Sequence, residues 1–276
     1  MEKLQLALEK ARKQRGTGAP YRRSAEPSNT PETPSELATA WEMLAPLDLP
    51  PDNQMDGRRI VAMRSGPASS SFDMLRTRIH NIMHDKGWRR MVITSPTLGC
   101  GKTTLSANLL ASFGRQTDLR TILLELDMRR PSLGRLLGAK PPSGPGIEGV
   151  LTGQAAFSDE ARRLGRNAAV CVATAQAKHS SELLQGRRAQ EILTDIESTY
   201  DPSTVIFDMP PILAADDTVG FLTQVDCALI VAEAGRSTTS EIDSTERLLA
   251  ERTEVLGVVL NKSRHQDTGY EGTYGY

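Results

Sequence analysis

Met91-Val92-Ile93-Thr94-Ser95-Pro96-Thr97-Leu98-Gly99-Cys100-Gly101-Lys102-Thr103-Thr104 reads as a buried strand, a tight turn and the start of a helix. Gly99 and Gly101 free the backbone to turn sharply and aim successive N–H groups inward, a nest suited to phosphate oxygens. In such a loop Lys102 reaches the β- and γ-phosphates and the Thr103 hydroxyl binds Mg²⁺. The amides from Gly99 through Cys100 and Gly101 to Thr104, with the positive end of the helix behind them, complete the anion site. Pro96 stands where the general G-x-x-x-x-G-K-[ST] pattern has its first glycine, so context must supply what the string lacks. An ordinary strand–helix connection can also carry Gly-x-Gly-Lys. Two further segments, however, fall where a nucleotide site needs them.

The first is Ile122-Leu123-Leu124-Glu125-Leu126-Asp127-Met128-Arg129-Arg130-Pro131. Strand alternation points Glu125 and Asp127 to one side, at the carboxyl end of a strand, where open α/β sheets bind ligands. The second is Val205-Ile206-Phe207-Asp208-Met209-Pro210-Pro211, a buried strand that again ends in an acid. A carboxylate there can hold Mg²⁺ through its water shell. Farther out, Met91–Thr94, Thr121–Leu126, Ala169–Ala173, Thr204–Phe207, Ala228–Val231 and Val255–Leu260 are strand candidates. Helices are expected over Lys102–Phe113, Ser181–Ser198, Asp217–Thr223 and Thr239–Glu251, with Phe72, Leu75, Ile79 and Met83 marking one face of an earlier helix. Apolar strands alternating with helices predict an α/β domain whose mostly parallel sheet carries helices on both faces.

The 276 residues suffice for one such domain. Lysine plus arginine (33) nearly cancels aspartate plus glutamate (34), so no polycation for nucleic acid is present. No apolar run approaches the roughly 20 residues of a spanning helix, and the start lacks the pattern of a secretory signal. Three scattered cysteines fit reduced thiols. Seven of the sixteen prolines lie in residues 1–51, and residues 1–56 are expected to form a flexible arm with short helices. Met1–Arg15 has helical spacing of Leu4, Leu8 and Ala11, and Leu37–Leu49 with Trp41 is a second apolar patch suited to docking. The body is expected over 57–265, followed by a tail, 266–276, that holds three of the five tyrosines.

The Ser95–Thr104 loop, the Leu124–Pro131 acid–arginine strand and Phe207-Asp208-Met209-Pro210-Pro211 together resemble the bacterial tyrosine autokinases of capsule and exopolysaccharide synthesis. The resemblance runs from about Ser70 to the C-terminus and includes Gly146–Gly153, Asp217, Gly257–Lys262 and the tail Gly269–Tyr276. It implies a P-loop NTPase-like fold and ATP-dependent phosphorylation of tail tyrosines, here Tyr270, Tyr274 and Tyr276. Carried over, Lys102 and the loop amides hold ATP, while Thr103, Asp127 and Asp208 serve Mg²⁺. Glu125 or Asp127 takes the phenol proton, and Asn261 lies near the adenine. The family acts as a homo-oligomer with a membrane-embedded activator. The expectation for this chain is thus a cytoplasmic kinase held at the inner face of the membrane by a polysaccharide co-polymerase of the chain-length type.

Three departures accompany the resemblance. Glu125 replaces an aspartate, Met209 replaces a small hydroxyl residue, and of the subunit-contact pattern E-x-x-R-x-x-R only Arg76 is kept, with Ser70 and Asp73 at the other two positions. Two other readings therefore stay open. One is a partitioning-type P-loop switch ATPase, although Pro96-Thr97-Leu98 lacks the extra lysine of that group. The other is a non-catalytic nucleotide-binding regulator of polysaccharide assembly.

Overall fold

Every expected strand forms. The computed structural model describes residues 36–50, 59–64, 66–138 and 144–263. Its strands are β1 (Arg90–Thr94), β2 (Thr121–Glu125), β3 (Arg162–Leu164), β4 (Ala168–Cys171), β5 (Thr204–Asp208), β6 (Cys227–Glu233) and β7 (Glu254–Asn261). They make one sheet in the order β3-β4-β2-β5-β1-β6-β7. All pairings are parallel except that of β3 with β4. The helices are α1 (Glu36–Met43), α2 (Pro67–Lys86), α3 (Lys102–Gly114), α4 (Leu133–Leu137), α5 (Gly146–Thr152), α6 (Phe157–Glu160), α7 (Ser180–Gln185), α8 (Arg187–Tyr200), α9 (Asp216–Phe221) and α10 (Thr239–Ala250). None of the described helices is long and apolar enough to cross a membrane.

Alternation along the inner strands feeds two cores, one on each face of the sheet. Val92, Ile122, Leu124, Val205, Phe207, Ala228 and Ile230 enter one core. Met91, Ile93, Leu123, Ile206, Leu229 and Val231 enter the other. This is why these strands read as unbroken apolar runs. Phe207 meets Phe221 edge-on at 5.0 Å, a geometry that adds about 1 kcal/mol to area burial. The expected face of α2 is used as well, with Ile79 and Met83 buried and Phe72 and Leu75 packed against them.

Four features depart from the reading of the sequence. The helix expected over Ser181–Ser198 is two helices, because Gly186 is extended (φ −67°, ψ 141°) and interrupts the hydrogen-bond ladder. The short edge strand β3 carried no signal, since Arg162-Arg163-Leu164 lacks alternation and is defined only by its pairing with β4. The patch at Leu37–Leu49 docks on the chain itself. Trp41 is buried, donates from Nε1 to the Tyr200 carbonyl at 2.8 Å and stands edge-on to the Tyr200 ring. Beyond it, Pro46 bridges to Arg163, the Leu47 amide donates to the Arg163 carbonyl (2.8 Å), and the Arg163 amide donates to the Ala45 carbonyl (2.8 Å), so the segment covers the exposed edge of β3. Residues 36–50, expected within a flexible arm, are therefore fixed by aromatic burial and edge pairing. Finally, Arg76 is turned inward, where it donates to the Ser112 carbonyl (3.1 Å) and to Asp73. Asp73 also accepts from Ser112 Oγ and Arg115. The Asp73–Arg76 pair thus ties α2 to α3.

Candidate nucleotide site

Parallel order brings the carboxyl ends of β1, β2 and β5 together, and register sets their acids side by side. Glu125 pairs with Asp208, and Ile93 pairs with Asp208 on the neighbouring strand. The loop after β1 turns through Gly99 (φ 84°) and Gly101 (φ 96°), both in the left-handed region that favours glycine. A Cβ at Gly101 would also overlap the Asn261 amide. Helix α3 starts at Lys102, and its first internal hydrogen bond is Leu105 N–H to the Gly101 carbonyl at 2.9 Å. The amides of Lys102, Thr103 and Thr104 precede that bond and face the mouth of the loop.

Lys102 is nearly buried, and its Nζ lies 3.9 Å from Asp127 Oδ2. Burial raises the Asp127 carboxyl above its ordinary range, and Lys102 opposes that rise. The Arg130 amide donates to Asp127 Oδ1 at 3.2 Å. Asp208 is wholly buried; its Oδ1 accepts from Ser106 Oγ at 3.2 Å, while Oδ2 has no hydrogen-bond partner. Burial pushes its carboxyl up to about 6, against the pull of Lys102 and of the nearby Thr103 hydroxyl. A buried acid with an orphaned oxygen, beside a threonine hydroxyl and a lysine, fits a hydrated Mg²⁺ that takes its other ligands from phosphates. Thr103 Oγ1 is also 3.4 Å from Ser132 Oγ, at a cleft of about 290 Å³ lined by Thr103, Thr104, Ser132, Arg135 and Leu136. A larger groove of about 460 Å³, between Val150–Ser158 and α8, shares no residue with this site.

Glu125 is close by, but its oxygens are engaged. Oε1 accepts from the amides of Ser132 (2.5 Å) and Leu133 (2.6 Å), and Oε2 accepts from the Ala173 amide (3.0 Å). This carboxylate closes the amino end of α4 and joins it to Ala173, just past the end of β4. Burial raises it to about 7, since desolvation outweighs the three amides. Of the two acids expected as proton acceptor, Asp127 is the one beside Lys102. Arg129 turns away from the loop to Asp217 (Nε to Oδ2, 2.6 Å) and Asp216 (2.9 Å). Asp217 accepts a further hydrogen bond from Ser180.

Asn261, at the end of β7, donates from Nδ2 to the Cys100 carbonyl at 2.9 Å. The next residue, Lys262, donates from Nζ to the Gly99 carbonyl (2.7 Å) and to Glu233 (2.9 Å). Reading the sequence missed Glu233, although an acid ending an apolar strand is the signal that found Asp208. The structure thus gathers Gly99–Thr104, Asp127, Asp208 and Asn261 at one place. Tyr270, Tyr274 and Tyr276 lie outside the described residues, as does the expected helix at Met1–Arg15.

Comparison with known proteins agrees with this geometry. Residues 91–272 match the family model described as the CobQ/CobB/MinD/ParA nucleotide binding domain. The chain is 31% identical over 204 residues to tyrosine-protein kinase wzc of Salmonella typhi, a match that covers 73% of this chain and 28% of that protein. It is 26% identical over 223 residues to tyrosine-protein kinase YwqD of Bacillus subtilis, covering 78% of this chain and 92% of that one. Among solved structures, the kinase domain of the Escherichia coli tyrosine kinase ETK superposes with a TM-score of 0.65 at 26% identity, over 76% of this chain and 82% of the other. The expected resemblance and fold class are borne out, while the chain spans under a third of the length of relatives such as wzc, at 28%. The chain therefore belongs to the CobQ/CobB/MinD/ParA nucleotide-binding domain family, among relatives named as bacterial tyrosine-protein kinases.

Proposed function

We propose that this chain is an ATP-dependent protein-tyrosine autokinase that phosphorylates Tyr270, Tyr274 and Tyr276 and so regulates exopolysaccharide or capsule polymerisation and export. The observation that carries the reading is Lys102 and Thr103 facing Asp127 and Asp208, in a chain whose relatives are named tyrosine kinases. The loop amides and Lys102 bind the phosphates and orient the γ-phosphorus. Thr103 and Asp208 would hold Mg²⁺, with Asp127 next to them; the ion, when bound, offsets charge on the β- and γ-oxygens. The phenol oxygen forms its bond to the γ-phosphorus as the bond to the ADP oxygen breaks, and the phenol proton passes to Asp127. An elevated Asp127 carboxyl accepts that proton more readily than an ordinary aspartate. Asn261 is assigned to the adenine side.

Transfer to the tail of a neighbouring subunit calls for a homo-oligomer. Control of polymerisation calls for a membrane co-polymerase of the chain-length type, which would hold the chain at the inner face of the membrane. The test is incubation with Mg²⁺ and γ-labelled ATP, with and without the cytosolic segment of such an activator, followed by mapping of the label by mass spectrometry. Label is expected on the three tail tyrosines and is expected to vanish in Lys102→Ala and in the triple Tyr270/Tyr274/Tyr276→Phe variant. ATP hydrolysis without labelled tyrosine would replace the kinase with a switch ATPase. Binding without turnover would leave a nucleotide-binding regulator.

A further inference from the structure

The carbonyl side of the phosphate loop is held by groups that the transfer chemistry does not use. Lys262 has a left-handed backbone (φ 59°), which costs a residue with a Cβ about 1 kcal/mol or more and persists where neighbouring bonds fix it. Three such bonds are present. Its amide donates to Asn261 Oδ1 at 2.9 Å, and its Nζ donates to Glu233 Oε1 at 2.9 Å and to the Gly99 carbonyl at 2.7 Å. Glu233 ends β6 and is itself steadied, since its amide donates to Ser237 Oγ at 2.9 Å and Arg236 lies 3.5 Å from its carboxylate. Asn261 meanwhile holds the Cys100 carbonyl. Two consecutive side chains at the end of β7 thus grip two consecutive carbonyls of the loop.

Peptide planarity converts that grip into amide orientation. In a trans peptide the C=O of one residue points opposite to the N–H of the next. Fixing the Gly99 oxygen toward Lys262 therefore turns the Cys100 N–H the other way, and fixing the Cys100 oxygen does the same for the Gly101 N–H. We propose that Lys262, braced by Glu233, is a positioning residue of the nucleotide site, acting through the Gly99 carbonyl to preset the phosphate-binding amides. Its nucleotide readout rests on the reading of this loop as a phosphate site, whereas its effect on the loop itself does not.

The experiment uses the full chain as Lys262→Met, Lys262→Arg and Glu233→Gln, with Lys102→Ala as the phosphate-site control. Hydrogen exchange at Cys100 and Gly101 is followed without nucleotide, and binding is titrated with a fluorescent ATP analogue and Mg²⁺. Lys262→Met is expected to speed exchange at those amides and to weaken nucleotide binding about tenfold. Its KM for ATP rises while kcat at saturation holds, and its melting midpoint stays within about 2 °C of the parent. Lys262→Arg, which can still donate to both oxygens, restores affinity to within about threefold, and Glu233→Gln falls between. Unchanged exchange and affinity in Lys262→Met would overturn the proposal. So would equal impairment by Met and Arg, or a loss of affinity that tracks a fall in melting midpoint. If Lys102→Ala binds as tightly as the parent, the phosphate-site reading fails, and the exchange rates alone decide the role of Lys262.

Discussion

At the scale of single residues, the same strand-end position yields three different acids. Asp127 meets Lys102, Asp208 keeps one oxygen without a partner, and Glu125 spends both oxygens on backbone amides. The sequence reading placed all three at carboxyl ends, but β2 stops at Glu125, so the alternation expected to set Glu125 and Asp127 on one side does not extend to Asp127. Side-chain reach and the arrival of α4 and β4 decided which of them cap structure and which face the loop, and no local pattern encodes those arrivals. Titration separates the roles. Glu125, raised from 4.5 to about 7, binds more protons in the folded chain than in the unfolded one between those values, so its stabilisation is present at low pH and lost as pH rises through that window. Asp208, raised to about 6, acts in the same direction. Glu125→Gln keeps one acceptor and sets an NH₂ group against a backbone donor, which should cost about 1–3 kcal/mol. The deficit of this variant relative to the parent should shrink as pH rises from about 5 to 7.5, measured by chemical denaturation without Mg²⁺ or nucleotide. A pH-independent deficit would count against the elevated carboxyl.

At the scale of elements, the strands were legible because burial on both faces leaves an unbroken apolar run of characteristic length. Helix ends were less so: Gly186 divides an apparently continuous amphipathic stretch because the backbone leaves helical geometry there. For α1 the sequence showed an apolar patch but not where it docks. Its eight residues follow a proline-rich stretch and form an apolar patch, Leu37, Ala38, Ala40, Trp41 and Met43, too short to hold a helix by itself. What fixes it is distant in sequence, since Trp41 inserts beside Tyr200 and donates to its carbonyl. Phe157, 5.1 Å from the Tyr200 ring, completes an aromatic trio. Trp41→Ala should therefore cost about 3–5 kcal/mol, the usual range for removing a buried Trp. It should also increase protease cutting between residues 36 and 50, and denaturant unfolding together with limited proteolysis reads both. A change below about 1 kcal/mol would mean that the segment merely rests on the surface.

At the scale of the whole molecule, the proposed reaction is one between subunits. Mixing Lys102→Ala, which keeps its tail, with the triple tyrosine-to-phenylalanine variant, which keeps its loop, should restore label on the Lys102→Ala chains at a rate that rises with concentration. No label in the mixture, with label in the parent, would mean transfer within one chain. Whatever assembly supports transfer does so with Arg76 already engaged by Asp73 and Ser112 of its own chain. By itself, the sequence determined the α/β class, the phosphate loop and the acids at strand ends, because each depends on local periodicity, glycine freedom or the register of a single strand. Only the tertiary structure decided that Glu125 is tied to the Ala173 amide, that Trp41 belongs to the core, and that Asn261 and Lys262 hold the loop from behind. Each of these rests on a contact between segments 48 to 163 residues apart, and such contacts exist only once the parallel sheet has brought its distant strand ends to a common edge.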